Sequence, residues 1–175
     1  MANQLSPVEQ PAYSTVRIET TLSAGGTAIG TGFFYKLETE GRNIPIIITN
    51  THVIENAARG KFKLTKRNAS GLPDQLSHTT ISLDDFESRW LPHPDGVTDL
   101  CTMPIGPLPD EASKKNEPFF YVQFDKSLLP TNQDLGELAG AEQIVMVGYP
   151  IGIWDEVNNF PVFRRGIMAS HPALD

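Results

Sequence analysis

The stretch IPIIITNTHVI, Ile44 to Ile54, decides how the chain folds. Residues 44–50, IPIIITN, are nearly all apolar, which marks a strand buried on both faces. It ends in Asn-Thr-His, and residues 52–58, HVIENAA, are expected to form a short helical turn. After His52, Val53-Ile54 resume the apolar character. A covered strand has no packing use for an imidazole at its exit. A base held at the rim of a β-barrel would be placed in this way.

Outward from this strand the same period recurs. Residues 15–22, TVRIETTL, alternate Val16, Ile18 and Thr20 against Arg17, Glu19 and Thr21. Residues 33–39 put Phe33, Tyr35 and Leu37 on one face, after a glycine-rich link over 23–32 and before a turn at Glu40-Gly41-Arg42-Asn43. Phe62 and Leu64 alternate with lysines. Further strands are expected at 77–83, 98–105, 118–124, 142–150 and 160–170. Residues 107–116 suit a helical turn or a loop, and 125–138 a connector. Residues 1–12 are polar, hold two prolines and read as a mobile tail. Short strands with 14 glycines and 14 prolines in 175 residues predict an all-β fold, barrel or sandwich.

Composition narrows the function. The net charge is −7, and the cluster Lys61, Lys63, Lys66 and Arg67 suits the wet side of a strand. Nucleic-acid binding, which needs a basic face, is not expected. One cysteine, Cys101, forbids an intrachain disulfide and a four-cysteine zinc site. There is no signal-peptide pattern and no apolar run of membrane-span length, so a cytoplasmic home without membrane contact is expected. The glycosylation pattern at Asn68 carries no weight without secretion. His93 and Asp95 beside His52 do not make up a metal set, and no cofactor is expected. Cys101 reads as a small inward hydrophobe, Trp90 and Trp154 as packing residues, His78 and His171 as surface residues, and Arg164 and Arg165 as a solvated strand face.

Asp99, 47 residues after His52, opens the strand DLCTMPI. A buried carboxylate accepting from one imidazole nitrogen fixes the tautomer and leaves the other nitrogen as a base. Asp95 could fill the same role, although an aspartate before glycine suits a turn; Asp99 is preferred. Gly30 and Gly32 permit close backbone approach beside such a site.

With GTGFFYKL, IPIIITNTHVI, TDLCTMPI and IVMVGYPIGIWD in this order, the chain resembles the trypsin-like serine peptidases of the chymotrypsin fold, most nearly their bacterial, disulfide-free branch. The resemblance runs from about Ala28 to Gly166. It implies a double β-barrel, the first complete over about 13–125 with His52 and Asp99, the second only begun over 126–175. It implies a serine endopeptidase acting on polypeptides through an acyl-enzyme, with His52 as general base and Asp99 as its orienting acid. Gly30, Gly32, Gly148, Tyr149 and Pro150 match packing and turn positions; Thr51 departs from the small residue usual there. The family nucleophile is a serine in G-x-S-G, and no serine here has glycine at both −2 and +1. Ser170 falls upstream of that place. The chain is thus expected to be a truncated piece, inactive alone, with the serine outside it. The alternative is a protease-like binding or scaffold module, with a C-terminal fused domain or a partner that adds a strand.

Overall fold

The computed structural model describes residues 5–171. The protein is mostly strands, arranged in two antiparallel sheets. The larger is built from β1 (Thr15–Leu22), β2 (Thr27–Thr39), β3 (Arg42–Thr49), β4 (Ala57–Arg67), β5 (Pro73–Asp84), β6 (Leu91–Pro92), β7 (Cys101–Pro104) and β8 (Phe119–Phe120). Its order is β5-β4-β1-β2-β3-β7-β6, with β8 pairing a second stretch of β4. The smaller is a hairpin of β9 (Gln143–Gly148) and β10 (Val162–Ile167). Four short helices join them: α1 (Gln10–Ser14), α2 (Thr51–Ile54), α3 (Pro107–Lys114) and α4 (Asn132–Glu137). Among the described residues no helix is long and apolar enough to cross a membrane.

Local chemistry explains the meander. Glu40 and Gly41 both take positive φ, as a two-residue hairpin between twisted strands requires. That turn sets β2 against β3 with Phe33 opposite Ile48. In β1 the alternation is realised: Val16, Ile18 and Thr20 are buried, while Arg17 and Glu19 keep partial access to water. Ile18, Ile47, Phe62, Phe86, Trp90, Cys101 and Met103 share one core.

The structure corrects several expectations. Sheet pairing does not close into a ring: β5 and β6 are the ends of the ladder path. The cause is local, since β6 is two residues long and ends in Pro92, which has no N–H to extend pairing. The glycine-rich link is partly strand, because Thr27 to Gly32 pair with β1 across a tight turn at Gly25 and Gly26. The inward residue of β2 is Phe34; Phe33 and Tyr35 turn to the other face, where Phe33 meets Phe124. Only Phe119 and Phe120 of the expected strand 118–124 pair as one, beyond which Phe124 makes a single parallel bridge to Tyr35. The connector contains α4, fixed by a capping box between Thr131 and Asp134. Of the expected tail, residues 1–4 lie outside the described residues. Ala12 and Tyr13 are buried on α1, and the Tyr13 ring meets Phe120 and Phe160 edge-on.

The hairpin β9–β10 is held to the larger sheet by a few specific ties. The Tyr149 N–H donates to Thr31 Oγ1 at 2.9 Å, and a Cβ on Gly148 would stand 2.8 Å from that oxygen. Trp154 lies between the cations of Arg17 and Lys63, 5.1 and 4.8 Å from its ring centre. Asn159 donates its amide to the Lys63 carbonyl.

Gly60 shows how closely the core is built. A Cβ there would fall 2.4 Å from the fully buried ring of Phe86. Gly60→Ala is therefore expected to destabilise the protein by about 1–3 kcal/mol, the usual cost of overpacking a core. Urea denaturation measures this, and a variant as stable as the parent contradicts the packing described.

Candidate functional site

The register of β3 and β7 builds the site. Thr49 pairs with Cys101, so the residues after Thr49 and those before Cys101 emerge side by side at one end of the sheet. A sequence gap of 47 residues is thereby reduced to one hydrogen bond. The Nδ1–H of His52 donates to Asp99 Oδ2 at 2.6 Å, because a carboxylate can only accept. The backbone N–H of His52 donates to Asp99 Oδ1 at 3.1 Å. One carboxylate thus grips one residue twice. In the neutral ring this bond favours the Nδ1–H tautomer, whose Nε2 can take a proton.

Small contacts hold the rim in place. Val53 and Ile54 bury the underside of α2. Val53 seats over Gly30, where a Cβ would approach it to 2.4 Å and press on the turn that carries His52. Thr49 Oγ1 donates to the Thr31 carbonyl at 2.9 Å, and Thr20 Oγ1 reaches the carbonyl of Val53. Cys101 is buried two residues from Asp99, with its thiol directed at the Thr49 carbonyl. Burial pushes that thiol up to about 11, so it is protonated and unreactive at neutral pH.

The Asp99 carboxylate is exposed, contrary to the buried carboxylate expected from the sequence. Residues 91–100 are all exposed, and the side chains of His52 and Asp99 keep 68% and 48% of their accessibility. At that exposure the ion pair adds little to stability; its effect is to orient the ring. The His52 ring and then its backbone N–H hold the Asp99 carboxyl below the usual carboxylate range.

Asp95 does a different job. It accepts from the Thr98 hydroxyl at 2.6 Å and from the backbone N–H groups of Val97 and Thr98, and it pairs with His93 at 2.9 Å. Those bonds hold its carboxyl far below the ordinary range and close the turn that leads into Asp99. Sequence reasoning saw the turn at Asp95-Gly96 but not its partners. It also missed Asn50, whose amide donates to the Asp99 carbonyl at 2.8 Å. Trp90 is buried, and His78 is half-buried, with a ring nitrogen against the Val157 carbonyl. Among the described residues, no group of three or more His, Cys, Asp or Glu could hold a metal ion. A groove of about 710 Å³ opens elsewhere, walled by Val8, Tyr13, Leu72, Phe160 and Phe163, and His52 and Asp99 take no part in it. Compared with known proteins, the sequence matches no family model and no curated protein.

Two outcomes are expected. Asp99 has a lower pKa folded than unfolded, so its stabilisation is full above its ordinary value of 3.8 and is lost as pH falls through the lower folded value. Asp95, Asp134 and Asp155 shift the same way, and Asp125 drops to about 2. Urea midpoints should therefore fall below about pH 4, and Asp99→Asn should make that fall shallower without abolishing it. A midpoint that ignores acid contradicts these pairings. The second outcome concerns Cys101: a disulfide reagent at about pH 8, near the ordinary thiol value, should label the native protein slowly and the urea-unfolded chain at once. Prompt labelling of the native state contradicts the burial.

Proposed function

We propose that the protein carries the proton-handling half of a serine-peptidase site, with His52 as general base and then general acid, and Asp99 as its orienter. The observation that carries this is the double grip of Asp99 on His52, which leaves Nε2 facing outward at the end of an antiparallel sheet. In the reaction, Nε2 takes the proton of an attacking serine hydroxyl, and the Asp99 carboxylate stabilises the imidazolium that forms. Nε2 then returns the proton to the leaving amine. The substrate is a polypeptide, and the acyl-enzyme is hydrolysed by water.

The larger sheet then corresponds to the first barrel of a chymotrypsin-like double barrel, and the β9–β10 hairpin to the start of the second. A single buried free cysteine suits a reducing cytoplasm. No serine among the 175 residues has glycine at both −2 and +1, so this reading needs a nucleophile that they do not contain. A second reading is a protease-like binding module. Its support is that β9 and β10 pair only with each other while Val145, Met146 and Ile167 are exposed, which suits a partner that adds a strand.

Turnover separates the two. In the product of the complete reading frame, His52→Ala is expected to lower kcat on a peptide substrate by on the order of 10³–10⁶. Activity within a few-fold of the parent would remove the base assignment.

A further inference from the structure

Asn50 occupies the N-cap position of α2, with extended backbone. An asparagine there ordinarily turns its side-chain oxygen inward to accept an N–H from the first turn. Here it makes no such bond. Its amide nitrogen instead donates outward, at 2.8 Å, to the backbone carbonyl of Asp99. The N–H it leaves free is that of His52, and Asp99 Oδ1 accepts it at 3.1 Å. The two segments have exchanged caps: Asn50 holds the Asp99 backbone, and the Asp99 side chain caps the helix of Asn50.

This exchange matters because Asp99 is exposed and lies just outside the β3–β7 ladder. Residues 91–100 are exposed throughout. The loop closes on itself through Asp95 with Val97 and Thr98, and through His93 N–H donating to the Leu100 carbonyl at 2.8 Å. Those bonds shape the loop, but none reaches α2. They are joined by the Asn50 amide and the grip of Asp99 on His52, with a weaker approach of the Thr51 N–H to the same carboxylate.

We propose that Asn50 is a positioning residue: by holding the Asp99 backbone it makes the Asp99 carboxylate, and not itself, the cap of α2, and so sets the imidazole of His52 in its Nδ1–H form. The proposal rests on the reading of His52 as base, and it adds a residue whose removal disorders the ring without touching it. Asp99 can accept from the His52 ring only while its backbone is held at this distance and angle.

The test is imidazole ¹⁵N–¹H NMR on the chain as it stands, with Asn50→Ser. Serine ranks with asparagine as a cap, so α2 keeps its start, but it lacks the outward amide donor and adds no charge. The parent should show a bonded Nδ1 proton on His52. In Asn50→Ser that proton should be lost to exchange, and the Nδ1–H share of the ring should fall severalfold. The amide spectrum away from α2 and the loop 93–100 should not change. Asn50→Asp, near-isosteric and also a good cap, is the second variant and should show the same loss. A parent-like Nδ1 proton in whichever variant folds overturns the role of Asn50 and leaves the base assignment standing. Absence of the bonded proton in the parent overturns both.

Discussion

One carboxylate accepts both the ring and the backbone N–H of one histidine, and the arrangement of the site follows from that constraint. Asp99 can make both bonds only if the exit of β3 and the entry of β7 leave the sheet side by side. The pairing of Thr49 with Cys101 provides this. The histidine must also turn back at once, which α2 achieves in four residues by burying Val53 against Gly30. The two requirements account for the abrupt change from a covered strand to a polar turn at Asn50-Thr51-His52.

The bond is short, yet the pair lies in the open. An exposed ion pair is screened and adds little to folding, so the grip is better understood as geometry than as stability. Stability comes from the shared core beneath it, where Ile18, Ile47, Phe62 and Phe86 are fully or almost fully buried. The site therefore rides on a well-packed sheet, while its acidic member sits on a loop kept in shape by side-chain-to-backbone bonds. Removing one of those bonds should change chemistry before it changes the fold.

Much of this was legible in the sequence because period and punctuation are local. Val16, Ile18 and Thr20 announced their strand by alternation, and His52 stood out because a covered strand gave no packing reason for it. Asp99 could be preferred over Asp95 because a glycine after Asp95 pointed to a turn. The remainder depends on contacts distant in sequence. Phe34 and not Phe33 faces the core, and the Phe33 ring instead meets Phe124, about ninety residues on. The failure of the larger sheet to close rests on a two-residue β6, whose Pro92 is visible in the sequence but whose partner is not. The outward turn of the Asn50 amide was hidden because an asparagine before a helix ordinarily caps it.

The most direct test of the central claim uses a fluorophosphonate, which bonds only to a serine activated by a neighbouring base. Applied to the product of the complete reading frame, it should form one covalent adduct on a serine, and His52→Ala should abolish it. No adduct on the parent, or an adduct that forms equally well without His52, would contradict the account.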